Sequence, residues 1–228
     1  MQKHTADGKI ILETMLDVTV PAPAARKAKS KKRKIPAYLV KETIDGRPFY
    51  YAGFRSVLNK RKTLDDIMPD SSLQILIKMY LSFLMYQKLN LSKYWVFSGE
   101  FGLHIEAGKN LSLDFAVVDM AAFPPEKFST KYLDIPPKVV VEIDVNVQVD
   151  EENFNDWEDF IIPKINKLHE FGTRKVIWIF TKSRKIVLAE VGKKWETFDW
   201  DKDVEILDGV VFNIAGYLAE KGIRLEGA

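Results

Sequence analysis

The segment KVVVEIDVNVQVD, residues 138–150, constrains the fold most, because it places carboxylates inside a run of β-branched residues that is typical of a buried strand. Burying an unpaired carboxylate costs several kcal/mol, and two on one face also repel each other. The strand therefore needs a cation, a shared proton or contact with solvent. By alternation, one face carries Val139, Val141, Ile143 and Val145, and the other carries Val140, Glu142, Asp144 and Asn146.

A second strand pattern, LSLDFAVVD at residues 111–119, also contains a carboxylate, that of Asp114. If this strand lies beside the first one, Asp114 and Glu142 converge on one divalent cation, which favours a few carboxylate oxygens together with water and phosphate oxygens. The alternative for Glu142 alone is a position near the strand end, where it meets water or a basic partner. The joint occurrence of the two carboxylates favours the cation site.

Lys164 lies in the middle of the apolar stripe of a predicted helix, NDWEDFIIPKINKLHEFG. Lysine is rarely buried without a partner, so an ammonium facing the core indicates that carboxylates or a phosphate lie close to it. The alternative is that its stem reaches past the helix end to solvent. We expect the amine within reach of Glu142 or Asp114, with Lys167 and Lys175 facing elsewhere, and we expect Pro163 to kink or start the helix.

One short segment near the N-terminus, RKAKSKKRK, carries seven basic residues and no acidic one. The remainder has 27 basic and 32 acidic residues, so it is slightly acidic. A segment this cationic cannot fold by burial, and we predict a flexible arm over residues 1–34 that binds nucleic acid phosphates, directs nuclear import or aids solubility. Its candidate nucleic-acid-binding residues are Arg26, Lys27, Lys29, Lys31, Lys32, Arg33 and Lys34.

The composition excludes several other classes of protein. The chain has no cysteine, and its three histidines (His4, His104 and His169) are scattered, so disulfides, thiolate zinc sites and histidine-rich metal sites are not expected. No apolar run reaches 18 residues and no secretory signal is present, which predicts a cytoplasmic protein without membrane contact. Phosphate-loop, GxSxG and HExxH signatures are absent from the sequence.

The order of predicted elements indicates an α/β or α+β fold with one mixed, centrally buried sheet. The whole chain is 46% hydrophobic, and residues 35–228 are long enough to form a single domain. The predicted elements are a strand over 9–21, a hairpin around Asp45-Gly46, a helix capped by Asp70 or Ser71, strands over 94–106, 111–119 and 175–181, a following meander, and a last helix near 213–221.

Several segments occur in the order seen in the Uma-two family of restriction-type endonucleases, within the PD-(D/E)XK nuclease superfamily, and the sequence resembles that family over roughly residues 36–220. The resemblance implies a restriction-endonuclease-like core with an N-terminal β-hairpin. The motif-bearing segments are YLVKETIDGRPFYYAG, SSLQILIKMYLSFL, LDFAVVD, PPKVVVEI, KINKLHEFGTRKVIWIF and DGVVFNIAGYL.

The resemblance also implies a function: a Mg²⁺- or Mn²⁺-dependent endonuclease that hydrolyses DNA, acting as a homodimer. Asp114, Glu142 and Lys164 would be the catalytic residues, and Asp114, Glu142 and Asp144 the metal ligands. Two positions depart from the family pattern, since Leu113 replaces a proline and Asp144 stands where the motif usually has lysine. The second departure favours the alternative of a catalytically silent nuclease fold that binds nucleic acid or a protein partner.

Deleting residues 1–34 is expected to weaken DNA binding and to flatten its salt dependence. Each neutralised phosphate releases counterions and contributes a slope of about −0.9 to the plot of log binding constant against log salt concentration. Fluorescence anisotropy with a labelled duplex over a range of salt concentrations measures both quantities. Unchanged affinity and slope in the truncated protein would reduce the arm to a targeting or solubility segment.

Overall fold

A six-stranded mixed sheet forms the centre of the computed structural model, which describes residues 35–106, 109–144, 146–149 and 155–225. The predicted class is confirmed, since helices flank this sheet and a strand hairpin precedes it. The predicted arm and the strand over 9–21 lie outside the described residues. The elements are β1 (Val40–Ile44), β2 (Arg47–Tyr51), α1 (Phe54–Leu58), α2 (Ser72–Lys88), β3 (Tyr94–Glu106), β4 (Lys109–Asp119), β5 (Val139–Ile143), β6 (Val147–Gln148), α3 (Ile162–Phe171), β7 (Lys175–Phe180), β8 (Lys185–Glu190), β9 (Glu196–Asp199), β10 (Val204–Leu207), β11 (Val210–Phe212) and α4 (Ile214–Glu220).

The central sheet has the strand order β3-β4-β5-β7-β8-β9. Strand β5 is antiparallel to β4 and parallel to β7, while the remaining neighbours are antiparallel. A parallel pair needs a crossover connection, which here contains α3. The helix that carries Lys164 is therefore tied to the strand that carries Glu142.

Strand β5 separates two hydrophobic cores, and all five of its residues are buried. Val139, Val141 and Ile143 pack in the core that includes α2 and α4. Val140 packs in the other core, which includes residues of α3, β1 and β2. The predicted alternation is confirmed as far as Ile143.

The prediction of one strand over residues 138–150 is wrong beyond Ile143. Asp144 has a φ of +46°, in the left-handed region, and this conformation ends the strand. The chain then forms β6, which pairs with β2 in a separate sheet of order β1-β2-β6. Asp144 therefore does not continue the face that carries Glu142.

The hairpin β1-β2 turns at Asp45-Gly46, as predicted, with φ values of +48° and +79°. Glycine and aspartate tolerate this left-handed backbone, which the tight turn requires. Strand β1 contributes Ile44 to the same core as α3. The hairpin thus lies over the face of the central sheet that α3 also covers.

Helix α2 begins at Ser72 and is capped by Ser71, one of the two predicted caps. The Ser71 hydroxyl accepts a hydrogen bond from the Gln74 backbone N–H, and the Gln74 side chain accepts one from the Ser71 N–H. This reciprocal pair satisfies two backbone donors at the helix start. The inner face of the helix buries Ile77, Leu81 and Met85.

Helix α3 is shorter than the predicted helix because its first turns differ. Residues Trp157–Ile161 form a π-helical segment, and the α-helix starts at Ile162, next to Pro163. Proline fits the first turn of a helix because its missing N–H has no helical partner there. The π-helical segment changes the angular position around the helix axis that was predicted for Trp157. Lys164 and Leu168 of the predicted apolar stripe are nevertheless buried, together with Ile165.

The C-terminal part contains both confirmed and missed elements. Strands β7, β8 and β9 form the expected meander, and α4 is the predicted last helix. The short helix α1 and the hairpin β10-β11 were not predicted. Within the described residues, no helix is long and apolar enough to cross a membrane.

Candidate active site

Asp114 and Glu142 lie on neighbouring strands, as the sequence predicts. In the antiparallel register of β4 and β5, Phe115 pairs with Val141, so one further step places Asp114 across from Glu142. The Ile143 N–H donates a hydrogen bond of 2.9 Å to Asp114 Oδ2. The end of β5 therefore fixes the position of the Asp114 carboxylate.

The Lys164 ammonium is buried beside Glu142, and the contact predicted for it is present. Lys164 Nζ lies 3.0 Å from Glu142 Oε1 and donates a hydrogen bond of 2.7 Å to the Ser112 carbonyl oxygen. The side chain is 1% exposed, so its stem does not lead the amine to solvent. As predicted, Lys167 and Lys175 face elsewhere, toward Asp45 and the Ile206 carbonyl oxygen.

Glu42 of β1 is a further member of this cluster, and the sequence analysis missed it. Its Oε2 atom lies 3.1 Å from Lys164 Nζ, and its Oε1 atom accepts a hydrogen bond of 2.9 Å from the Ser112 N–H. A signal was available, since Glu42 shares one face of the strand pattern LVKETI with the apolar residues Val40 and Ile44. We call Glu42, Glu142 and Lys164 the buried triad.

The electrostatics of the buried triad are asymmetric. Burial raises the pKa of Glu142 to about 8, with help from Asp114 and Glu42, although Lys164 opposes the shift. Burial alone would lower the pKa of Lys164, but Glu142 and Glu42 outweigh it, so the net shift is upward. Among the described residues, the buried Oε2 of Glu42 and Oε1 of Glu142 have no donor other than the Lys164 ammonium, which lies at ion-pair distance. The lysine therefore stays charged and holds both carboxyl groups.

Asp144 does not join Asp114 and Glu142 in a three-carboxylate cluster. Its Oδ1 atom accepts a hydrogen bond of 2.7 Å from the Thr181 N–H, and its Oδ2 atom contacts the Thr181 hydroxyl. Burial raises the pKa of Asp144, while the Thr181 hydrogen bonds oppose the shift. Across the described ranges, no group of three or more acidic or histidine side chains is placed to hold a metal ion. The predicted three-ligand set is therefore not assembled, because the left-handed turn at Asp144 directs its carboxylate to β7's end.

Asp114 and Asp144 line a cleft of about 400 Å³ where β5 ends beside the middle of β4. The charged residues of its wall comprise four carboxylates and two ammonium groups, a formal net charge of −2. Glu142 and Lys164 lie behind this wall and are each 1% exposed. The charged residues of the cleft are Lys41, Asp70, Lys78, Glu100, Asp114 and Asp144.

Lys78 of α2 is the second functional residue that the sequence analysis missed. Its ammonium lies 2.7 Å from Asp114 Oδ1 and 2.8 Å from Asp70 Oδ2. Burial lowers the pKa of Lys78, but the two carboxylates raise it by more. A weak signal existed, because Lys78 is the one charged residue between positions 72 and 87, where every other residue of the helix is uncharged.

Comparison with known proteins bears on the fold. No family model matches the sequence, and no protein with a curated description is similar to it. A crystal structure described as that of "a putative nuclease belonging to DUF820" from Anabaena variabilis ATCC 29413 superimposes with a TM-score of 0.53 and 15% identity, covering 78% of this chain and 89% of that one. The fold is nuclease-like. The seven candidate nucleic-acid-binding residues between Arg26 and Lys34 lie outside the described residues, so their role stays a prediction.

The raised pKa of Glu142 predicts a stability that depends on pH. Between about pH 4.5 and about pH 8, the folded protein retains a proton that the unfolded chain has released, so the free energy of unfolding falls as the pH rises through this window. Glu142→Gln removes the titrating group and should flatten the profile. Urea denaturation across the window measures the difference.

The matched control is Glu126→Gln, which changes an exposed glutamate and should keep the parent profile. The assignment would be contradicted if the Glu142→Gln protein lost stability with pH as steeply as the parent protein does.

Proposed function

We propose that this protein is a metal-dependent endonuclease of the Uma-two type, in the PD-(D/E)XK superfamily, acting on DNA. One observation carries the proposal: Asp114, in the middle of β4, lines a cleft, and Glu142 lies opposite it near the end of β5, with the buried Lys164 ammonium beside Glu142. Paired carboxylates at such a place are suited to hold a divalent cation and a phosphate together. The nuclease-like fold agrees with this chemistry.

The charge of the cleft supports the requirement for a cation. A wall with four carboxylates and two ammonium groups repels a phosphodiester, which is itself negatively charged. A divalent cation would neutralise the net charge of the wall, and hard oxygen ligands select Mg²⁺ or Mn²⁺ over softer metals. Phosphate binding in the cleft is therefore expected only with the cation present.

The residues fit a two-carboxylate magnesium site better than the three-carboxylate site that the sequence suggested. Magnesium is commonly held by one or two carboxylates, with water and substrate phosphate completing its shell. Asp114 and Glu142 would supply the carboxylates, while Asp144 is engaged by Thr181. When bound, the ion would polarise a phosphate oxygen and lower the pKa of the attacking water.

The protein's own groups would prepare this site before substrate binds. The Ile143 N–H orients Asp114, and the Lys164 ammonium keeps the buried Glu142 and Glu42 carboxyl groups in place. Such fixed dipoles and charges need no reorganisation during reaction. The basic residues 26–34 would add affinity for the DNA backbone outside the cleft.

A second candidate function is a catalytically silent nuclease fold that binds nucleic acid or a protein. The observation that favours it is the ion pair between Lys78 and Asp114, because a lysine can substitute permanently for a metal ion beside a carboxylate. In such a protein Mg²⁺ would have no effect on DNA binding or integrity. Metal titration therefore distinguishes the two functions.

We further propose a homodimer in which α2 pairs with α2 of a second copy. The outer face of α2 exposes Ile75, Met79, Phe83 and Tyr86, with relative exposures of 47%, 64%, 65% and 51%. A helix that is apolar on both faces is normally covered on both. Because these four side chains carry no charge, a two-fold axis can join the face to its own copy without repulsion.

Purified parent protein should nick or cut DNA with Mg²⁺ or Mn²⁺ and leave it intact with EDTA. Asp114→Asn and Glu142→Gln each remove a proposed ligand, so each should lower cleavage by roughly 100-fold or more, beyond the typical effect of changing a group that only orients a metal ligand. Glu126→Gln is the matched control and should cut like the parent. A parent protein that binds DNA but never cuts it with either metal would favour the silent fold.

The dimer proposal predicts a molar mass of twice 26.2 kDa by size-exclusion chromatography with light scattering. Phe83→Glu places a charge on the proposed interface and should yield a monomer. Phe128→Glu changes another half-exposed phenylalanine, which is 49% exposed and lies outside α2, and should leave the dimer intact. A monomeric parent, or equal masses for the two variants, would refute the interface.

A further inference from the structure

The lysine expected to contact the substrate, Lys164, is poorly placed to do so. Its side chain is 1% exposed and its ammonium already contacts Glu42, Glu142 and the Ser112 carbonyl oxygen. Moving the amine toward the cleft would leave two buried carboxyl groups without their cation, and breaking a buried ion pair in this way is strongly destabilising. Lys164 therefore stabilises the buried Glu42 and Glu142 carboxyl groups behind the cleft wall.

Lys78 occupies the place that Lys164 cannot reach. Its ammonium lies on the cleft wall, 2.7 Å from Asp114 Oδ1, and its side chain is 17% exposed. Its second partner, Asp70, precedes the Ser71 cap and is 36% exposed. Lys78 is thus a charged donor at the mouth of the site, beside the carboxylate proposed to hold metal.

We propose that Lys78 is the phosphate-contacting lysine of this site and that Lys164 is a positioning residue. This inference rests on the proposed function and names the group that receives the phosphodiester. In the metal-free protein Lys78 neutralises Asp114. Once a cation shares Asp114, the Lys78 ammonium is released from that carboxylate, stays beside Asp70 and can donate to a phosphate oxygen.

Asp70 is the second carboxylate that holds the Lys78 ammonium in place. The Asp70 carboxylate pairs with Lys78 from the start of α2, while the Asp114 carboxylate pairs with it from the sheet. Loss of the Asp114 contact therefore leaves Lys78 tethered at the cleft. Lys41, the other lysine of the wall, belongs to β1 of the hairpin and pairs with Glu100 at 3.4 Å.

The first test measures Mn²⁺ affinity by electron paramagnetic resonance, without DNA. Lys78→Met removes the ammonium that competes for Asp114, so we expect the dissociation constant to fall by about tenfold, the equivalent of one modest ion pair. Lys88→Met makes the same charge change on the exposed last turn of α2 and should leave the affinity unchanged. An unchanged dissociation constant for Lys78→Met would overturn the shared use of Asp114.

The second test measures binding of a short duplex DNA with Ca²⁺ in place of Mg²⁺, over a range of salt concentrations. Lys78→Met should weaken binding and lower the salt slope by about one phosphate contact, whereas Lys78→Arg should retain both. Lys88→Met again serves as the control. Parent-like affinity and slope in Lys78→Met would overturn the inference.

Lys164→Met provides the contrast, provided that thermal unfolding shows it to be folded. A positioning residue acts on the metal site, so this variant should bind Mn²⁺ more weakly while its salt slope for DNA stays that of the parent. A slope lowered by Lys164→Met and not by Lys78→Met would reverse the two assignments.

The outcomes for the two proposals are separable. If the parent never cuts DNA but Lys78→Met changes the salt slope, the nuclease proposal fails and the phosphate contact stands. If the parent cuts with Mg²⁺ but Lys78→Met binds DNA like the parent, the nuclease proposal stands and the role of Lys78 fails.

Discussion

The buried Lys164 ammonium is the interaction on which the rest of the site depends. It contacts carboxyl groups from β1 and β5 and a backbone carbonyl from β4 while it is itself part of α3. Four separate elements therefore meet at one charge. Since burial of a single carboxylate is costly and burial of two is more so, the fold tolerates Glu42 and Glu142 only because this cation lies between them.

Charge balance also matters at the cleft, but there the charges of the protein's own side chains do not cancel. Lys78 compensates Asp114 and Asp70, but the cleft wall retains an excess of carboxylates. The interior of the site is thus neutralised by the protein, while its solvent-facing side keeps a formal net charge of −2. This difference allows a charge-compensated core and a negatively charged surface to share the same pair of strands.

Sequence reasoning predicted the parts of this site that follow from periodicity. The two-residue period of β5 and the apolar stripe of α3 were enough to bring Glu142 and Lys164 together. Asp144 was misplaced because the period was continued through a residue with a φ of +46°, where the strand has already ended. Lys78 could not be assigned, since its partners come from a loop and from a distant strand, and helical spacing does not encode them. The hairpin β10-β11 was missed although Asp208-Gly209 has the left-handed φ values, +50° and +78°, that marked the first hairpin.

The wide sequence separation of the triad also bears on when the site forms. Lys164 meets partners that lie 122 and 52 residues away from it along the chain, at Glu42 and Ser112. Contacts of such long range close large loops and tend to form late in folding, after local helices and hairpins. The carboxylates of a partly synthesised or partly folded chain would remain solvated and separated. Folding itself therefore assembles the buried triad, which an incomplete chain does not contain.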